Sequence, residues 1–245
     1  MADIMANIMA DIMAYHGWGF DQNYWQDWIK KIKGEGHLFQ AFDRGYFNYK
    51  SHTGHSQNDD QANVPLFAMP KTTQRILILH SFGLHLCPIE TIQQADWVVI
   101  FSSFLCFHPQ DPRRNRRSKR VLDRMGDRLQ SNPLEVLQEF WTNCHAPFSS
   151  QPKPKTENIN LPLLHQDLEW ISTISIDNPS PRLTALQHVT NITIIHGEAD
   201  QIVPLSQGAT LADAVSAPLI TIPNAGHALP FSHPHQCWSL APFTA

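Results

Sequence analysis

The sequence contains few cysteines and no long apolar run. Its four cysteines, Cys87, Cys106, Cys144 and Cys237, show no short paired spacing, which argues against a disulfide framework and against a thiolate metal site. No apolar stretch approaches the roughly 18 residues that a membrane span requires, and no basic segment followed by an apolar one resembles a signal peptide. We therefore expect a soluble, cytoplasmic protein with reduced cysteines and no membrane partner.

Histidine is plentiful, with 14 residues, but the spacing of a metal site is missing. The pairs His52 with His55 and His80 with His85 have no matching third ligand and no H-E-x-x-H pattern on a helix. We interpret these side chains as solvated or hydrogen-bonding histidines. The sequence predicts no metal and implies no cofactor.

Short apolar runs that alternate with helical patterns predict a parallel sheet with right-handed crossovers, and 245 residues are enough for one large α/β domain. The predicted strands are Ile12 to Tyr15, Leu38 to Phe42, Ile76 to Leu79, Trp97 to Phe101, Ile192 to Ile195 and Leu219 to Ile222. Residues 107–183 have helical patterning and no strong strand, so we predict an inserted helical lid there. Residues 1–106 and 184–245 then form the core.

A four-residue unit, Ala-Asp/Asn-Ile-Met, occurs three times between Ala2 and Met13. Such low complexity favours a helical turn or an extended start site over any chemistry. Only Ile12 to Tyr15 then remains for the strand that precedes His16.

Ser81 stands at the end of a buried strand, and Gly83 two residues later allows the next helix to approach closely. This arrangement is typical of the nucleophile elbow, which projects a serine hydroxyl above a sheet. Leu79 occupies the first glycine position of G-x-S-x-G, where we expect its bulk to crowd the strand against the helix. A serine in an ordinary turn is the alternative interpretation.

A serine hydroxyl becomes a good nucleophile when an imidazole removes its proton and a carboxylate orients that imidazole. Asp200 and His227 follow the last two predicted strands, whose carboxyl ends lie at one edge of a parallel sheet. The chain order serine, acid, histidine is that of α/β-hydrolases. Glu198 is the rival acid, although it stands closer to its strand end, and a surface-loop histidine is the alternative for His227.

The glycine-bearing loop His16-Gly17-Trp18-Gly19 is of the kind that supplies an oxyanion hole. When a nucleophile adds to an ester carbonyl, a tetrahedral oxyanion forms, and hydrogen-bond donors must lie where its negative charge develops. The backbone N–H groups of Trp18 and Phe82 are the candidate pair. The Trp18 side chain is predicted to be a wall of the acyl site, a core aromatic, or both.

Arginine is concentrated between Asp111 and Arg128, where eight basic residues face three acidic ones, a net charge of +5 in a chain of net charge −4. Five arginines form one predicted helical stripe: Arg113, Arg117, Arg120, Arg124 and Arg128. Leu122, Met125 and Leu129 form a separate apolar stripe, predicted to rest on the sheet mouth while the arginines face outward. This excess of positive charge suits an acidic partner or a phosphate.

A solvated helix face is one alternative interpretation of the arginine stripe. Nucleic-acid binding is another, which the acidic remainder of the chain and the lack of a nucleic-acid-binding motif disfavour.

The motifs together resemble the pimeloyl-acyl-carrier-protein methyl ester esterases of biotin synthesis. The resemblance is carried by His16-Gly17-Trp18-Gly19, Ser81-Phe82-Gly83, Gly197-Glu198-Ala199-Asp200 and Ala225 to Pro234. It extends to Trp97 through Ser103 and, more loosely, to Leu164 through Glu169. Related esterases and C–C bond hydrolases share these motifs.

The resemblance implies an α/β-hydrolase fold in which Ser81 attacks the methyl ester, His227 protonates the departing methanol, and water hydrolyses the acyl enzyme. It also implies that arginines on the lid meet the acidic carrier protein. We expect a monomer that acts on a small ester or on an acyl-carrier-protein substrate. The alternatives are a general short-chain esterase, and a non-catalytic or decayed protein of the same fold.

Overall fold

The computed structural model describes residues 10–47, 67, 74–148, 158–177 and 179–240. The strands are β1 Ala10–Tyr15, β2 Leu38–Phe42, β3 Gln74–His80, β4 Trp97–Phe101, β5 Asn191–Gly197 and β6 Leu219–Ile222. The helices are α1 Gln26–Gly34, α2 Gly83–Leu86, α3 Ile89–Gln94, α4 Pro112–Ser131, α5 Pro133–His145, α6 Leu161–Thr173, α7 Pro181–His188, α8 Leu205–Val215, α9 Leu229–Ser232 and α10 Pro234–Ser239. None of the helices in the described part of the chain combines the length and apolar character that crossing a bilayer requires.

The six strands form one sheet in the order β2-β1-β3-β4-β5-β6, and every neighbouring pair is parallel. The predicted bounds of β2, β4 and β6 are confirmed, and those of β3 and β5 lie inside the observed strands. All the carboxyl ends therefore lie at one edge of the sheet, where ligands bind in folds of this kind.

Both faces of the sheet are covered by helices. Ile76 and Ile78 of β3 point to one face, where Trp28 of α1 and Trp238 of α10 pack. Leu77 and Leu79 point to the other, which α7 and α8 cover. This alternation follows from the two-residue period of a strand. Burial on both faces explains why the strands are continuous apolar runs.

The first strand is longer than predicted. β1 begins at Ala10 because Ala10 and Asp11 pair with Gln74 and Arg75 at the start of β3. The third copy of the four-residue unit is therefore part of the sheet, so its interpretation as a helical turn is wrong. The first two copies lie outside the described residues.

Helices α4, α5 and α6 lie between β4 and β5 and cover the edge of the sheet where the strands end. Asp111 begins α4, since its carboxylate accepts a hydrogen bond from the Arg114 N–H at 2.8 Å and Pro112 occupies the first turn. Leu122 and Leu129 of α4 are buried with residues of α5 and α6 in a third apolar cluster. The predicted lid boundaries at 107 and 183 stay a prediction.

Candidate active site

Ser81 occupies a strained turn directly after β3. Its φ of +54° lies in the left-handed region, which costs a residue with a side chain about 1–2 kcal/mol. Two hydrogen bonds hold the turn: the Ser81 N–H donates to the Phe101 carbonyl at 2.9 Å, and the Ser103 hydroxyl donates to the Ser81 carbonyl at 2.7 Å. The elbow is thus anchored to β4 and to the loop that follows it.

Gly83 permits the close approach that this turn requires. A Cβ at Gly83 would lie 2.5 Å from the Tyr15 carbonyl oxygen, so no other residue fits without moving β1. Leu79 is fully buried in the apolar cluster on one face of the sheet. The tight contact that the structure shows is made at Gly83, and the expected crowding by Leu79 stays a prediction.

Ser81, His227 and Asp200 lie in one line of hydrogen bonds. His227 Nε2 is 2.9 Å from Ser81 Oγ, and His227 Nδ1 is 2.9 Å from Asp200 Oδ2. The carboxylate can only accept, so the Nδ1–H donates to Asp200 and Nε2 is left to accept the serine proton. Glu198, the rival acid, is exposed and accepts from the Thr221 hydroxyl at 2.9 Å.

The Asp200 carboxylate is buried, yet it has four hydrogen-bond donors nearby. Its Oδ1 accepts from the Ile202 and Val203 N–H groups at 2.9 Å each, and His196 Nε2 lies 3.3 Å from Oδ2. Burial alone would raise the pKa of Asp200, but His227 and the hydrogen bond from His196 hold that pKa well below its usual range. The Asp200 carboxylate is therefore ionised near neutral pH, where it can accept the hydrogen bond from His227.

Two further histidines are buried beside His227. The Nε2 of His80 lies 3.0 Å from the His227 carbonyl oxygen, and the two rings are 5.1 Å apart. Burial lowers the pKa of His80 well below its usual range, and it also lowers the pKa of His145. Both rings are therefore neutral near pH 7 and place no competing positive charge beside the base.

The His80 and His85 side chains, considered above as metal ligands, have different hydrogen-bond partners. His80 faces the His227 carbonyl, whereas His85 Nε2 lies 3.0 Å from the Phe104 carbonyl oxygen. His52 and His55 lie outside the described residues. Within the described ranges, no three or more His, Cys, Asp or Glu side chains are grouped as metal ligands would be.

The loop after β1 lies against the serine. A Cβ at Gly17 would lie 2.8 Å from Ser81 Cβ, so the absence of a side chain lets the backbone reach the hydroxyl. Within the described ranges, no acceptor takes a hydrogen bond from the N–H of Trp18 or of Phe82. Both predicted oxyanion donors therefore have N–H groups without a partner among the described residues, and their role stays a prediction.

A cavity of about 750 Å³ opens above Ser81 between the sheet edge and the helices. Its wall is mainly aromatic and aliphatic. The apolar residues that line it include Trp18, Phe82, Phe104, Phe107, Leu122, Met125, Val136, Phe140, Leu168 and Ile171. Trp18 is fixed there by its indole N–H, which donates to the Leu164 carbonyl at 2.9 Å. It also makes an edge-to-face contact with Phe140, with the ring centroids 4.9 Å apart.

Four of the five arginines of the predicted stripe, Arg113, Arg117, Arg120 and Arg124, are exposed and border one external groove, in agreement with an outward face; Arg128 is the exception. Arg114, Arg117, Arg124 and Arg128 line the cavity. Arg113 and Arg120 line an external groove, which Arg117 and Arg124 also border. The helix lies across the mouth of the cavity, so its arginines reach both sides of the mouth.

Arg128 differs from the other arginines of α4 because it forms ion pairs with described residues. Its guanidinium donates to both carboxylate oxygens of Glu139 at 2.8 and 3.1 Å and lies 3.4 Å from Glu135. These contacts join α4 to α5 and neutralise Arg128. The positive charge at the mouth therefore comes from the remaining arginines.

The end of α5 is joined to the turn that carries His227. The Ala228 N–H donates to the Cys144 carbonyl at 2.8 Å. Gly226 lies so close to the carbonyls of Cys144 and Ala146 that any side chain there would collide with them. The helix that walls the cavity and the loop that holds the base thus share one packing contact.

A buried ion pair ties α6 to the loop after β2. Arg44 donates to both oxygens of Asp167 at 2.8 and 2.9 Å, and the Tyr46 hydroxyl donates to Asp167 at 2.6 Å. Asp167 is fully buried. No role was predicted from the sequence for this cluster or for His196. The only sequence signal for His196 is its place at the end of an apolar strand, four residues before Asp200.

No protein-family model matches the chain, and no curated protein does either. Solved structures do resemble it. An esterase from Exiguobacterium antarcticum superposes with a TM-score of 0.67 at 13% identity, over 95% of this chain and 91% of that one. A thermophilic esterase from Thermogutta terrifontis gives 0.62 at 14%, over 94% and 88%. A bromoperoxidase from Bacillus anthracis gives 0.62 at 15%, over 96% and 91%.

These similarities establish that the chain has the α/β-hydrolase fold, with a six-stranded parallel sheet, flanking helices and an inserted helical region from α4 to α6. At such low identity they speak for the fold alone. The fold supports more than one chemistry, so a reaction must be argued from the site.

Proposed function

We propose that this protein is a serine carboxylic ester hydrolase. The observation that carries the proposal is the line of two 2.9 Å contacts from Ser81 Oγ through His227 to Asp200 at the floor of the cavity. A nucleophile, a base and an orienting acid in this geometry are the minimum for acyl transfer through a covalent intermediate. The esterases of similar fold support the same class of reaction.

The chemistry follows from the position of each group. His227 Nε2 takes the Ser81 proton as Oγ attacks the ester carbonyl carbon, and the buried Asp200 carboxylate stabilises the imidazolium that forms. The N–H groups of Trp18 and Phe82 stabilise the oxyanion. His227 then returns its proton to the departing alcohol, and an activated water molecule repeats the sequence to release the acid and restore Ser81.

The substrate class follows from the cavity wall. Its apolar lining suits an acyl chain, since burial of apolar surface contributes about 25 cal/mol per Å². A general esterase of short or medium acyl chains is therefore the function best supported by the site.

The first test is turnover of p-nitrophenyl acetate and butyrate by the wild-type protein and by Ser81→Ala, with labelling by a fluorophosphonate probe. We expect turnover and labelling in the wild type and neither in the variant. Folded wild-type protein that neither turns over esters nor becomes labelled would instead support the non-catalytic alternative.

A narrower candidate is a methyl ester of a pimeloyl group on an acyl carrier protein. The observation that favours it is the positive charge of α4: the exposed Arg113, Arg117, Arg120 and Arg124 stand at or beside the cavity mouth and form no ion pair with a described residue. Arg128, the fifth residue of the predicted stripe, is neutralised by Glu139. We therefore assign carrier contact to the first four.

Charge reversal tests this candidate. With those four arginines changed to glutamate, the carrier hypothesis predicts loss of activity on pimeloyl-acyl-carrier-protein methyl ester while p-nitrophenyl acetate is hydrolysed as before. Equal activity of wild type and variant on both substrates would leave the general esterase. Salt-dependent retention of DNA or RNA by the wild type would favour nucleic-acid binding instead.

A further inference from the structure

His196 is the last residue but one of β5, and its ring is fully buried beneath the turn that carries Asp200. Its Nε2 lies 2.9 Å from the Val203 carbonyl oxygen and 3.3 Å from Asp200 Oδ2. Neither oxygen can donate a hydrogen bond. The ring proton must therefore lie on Nε2, shared between the two oxygens.

The other edge of the ring is fixed by packing. Nδ1 of His196 has no hydrogen-bond partner among the described residues, and it lies so close to Gly208 of α8 that a side chain at Gly208 would collide with the ring. The absence of a side chain at Gly208 thus leaves the space that the imidazole of His196 occupies. One N–H group is held at a single position in the turn.

This N–H completes a closed set of contacts around the acid. Asp200 Oδ1 accepts from the N–H groups of Ile202 and Val203, and the Val203 carbonyl in turn faces His196. Asp200 Oδ2 accepts from His227 on one side and faces His196 on the other. Without His196, Asp200 Oδ2 would retain His227 as its one donor among the described residues, and the Val203 carbonyl would lose the group that it faces.

We infer that His196 is a positioning residue: its Nε2–H orients the Asp200 carboxylate toward His227 and closes the turn that carries the acid. The inference rests on the proposed ester hydrolysis. It predicts that the donor at Nε2, and not the imidazole ring as such, is required, because the ring touches neither substrate nor the reacting atoms.

The first experiment needs neither substrate nor variant. In wild-type protein labelled with ¹⁵N-histidine, the inference expects His196 as the Nε2–H tautomer, together with a far-downfield proton resonance from the His227 Nδ1–H bonded to Asp200. A His196 proton on Nδ1 would overturn it. Since this experiment measures no turnover, it separates failure of the inference from failure of the proposed function.

The second experiment compares His196→Leu, which lacks the donor, with His196→Gln, whose amide N–H reaches the position of Nε2. For His196→Leu we expect kcat to fall on the order of tenfold with KM within about twofold, and the His227 resonance to shift or vanish. His196→Gln should restore both. Equal losses in the two variants, or an unchanged His196→Leu, would overturn the donor role.

His85→Leu is the matched control. It removes a buried imidazole whose Nε2 also faces a carbonyl, that of Phe104, but which lies away from Asp200. We expect a lower thermal midpoint and an unchanged His227 proton resonance. Loss of that resonance in His85→Leu as well would show a general packing effect and would overturn the inference.

Discussion

The edge of the sheet and the helices above it differ in how their polar groups are satisfied. At the sheet edge, Asp200 is fully enclosed by donors and Ser81 is held by hydrogen bonds from two sides. On α4, Arg113, Arg117 and Arg124 are exposed and make no ion pair with any described residue. A closed network preserves geometry, whereas open charge is available to a ligand. Under the proposed ester hydrolysis, the sheet edge would carry the chemistry and the helices would select the substrate.

The strongest test of this division removes the acid. Asp200→Asn retains the shape of the side chain but favours the wrong tautomer of His227, so we expect kcat for p-nitrophenyl acetate to fall about 10⁴-fold. Glu198→Gln is the matched control, because Glu198 contacts Thr221 and not the base. A large loss in Glu198→Gln with activity kept in Asp200→Asn would reverse the assignment of the acid.

The second test cuts the tie between the two regions. Asp167→Asn would leave Arg44 and Tyr46 without their shared carboxylate, and breaking a buried pair in this way costs about 3–5 kcal/mol of the free energy of unfolding. Urea unfolding followed by tryptophan fluorescence measures it. Glu169→Gln, on the same helix but exposed, should leave the midpoint almost unchanged. Equal midpoints for the two variants would show that the tie adds little.

The third test uses pH. Burial lowers the pKa of His80 well below its usual value, and burial with the nearby Arg182 guanidinium lowers the pKa of His85 to about 3. Below the ordinary histidine pKa of 6.5, the unfolded chain therefore binds protons that the folded chain does not. Stability is lost as pH falls from about 6.5, by up to about 1.4 kcal/mol per pH unit for each such histidine.

Urea unfolding at pH 7.5, 6.5 and 5.5 checks this dependence. His85→Leu should reduce the slope of the unfolding free energy against pH by the amount that one buried histidine contributes. It should do so even though the variant is less stable than the wild type at pH 7.5. A slope identical to that of the wild type would contradict the assignment of acid sensitivity to the buried rings.

The smallest effect should come from the wall of the cavity. Phe140 contacts Trp18 at 4.9 Å and lines the space above Ser81. Phe140→Ala should lower kcat/KM for p-nitrophenyl butyrate relative to acetate by about fivefold, because the longer chain loses apolar contact. Gln138→Ala, an exposed residue of the same helix, serves as the control. An equal loss on both esters would place Phe140 with the reacting groups instead.

The sheet was largely predictable because its strands are buried on both faces and so are written as continuous apolar runs. For β2, β4 and β6, the predicted first and last residues are the observed ones. β1 was predicted too short because Ala10 and Asp11 belong to a repeated unit and carry no strand signal of their own. Their place in the sheet is decided by pairing with Gln74 and Arg75, which lie more than 60 residues away.

The candidate site was predictable where chain order constrains it. Ser81, Asp200 and His227 follow strands of one parallel sheet, so their convergence could be expected, and their catalytic roles stay a prediction. Asp167 could not be found this way, because only the fold brings Arg44 near it. His196 is four residues from Asp200, but that spacing does not show that its ring faces the carboxylate. The pairing of Arg128 could not be predicted for a related reason: helical spacing places Arg128 on a face of α4 but does not reveal that Glu139 of α5 lies opposite.

The contact between the end of α5 and the turn of His227 limits how this protein could be re-engineered. Exchange of the helical region is a natural route to new substrates, since the wall can vary while the floor stays constant. Here residues 144–146 belong to both, because the Cys144 carbonyl accepts from Ala228 and Gly226 packs beneath it. A transplanted region would need to retain that backbone segment together with its own side chains. The usable splice point therefore lies before Cys144, inside α5, and not at the loop that ends the helix.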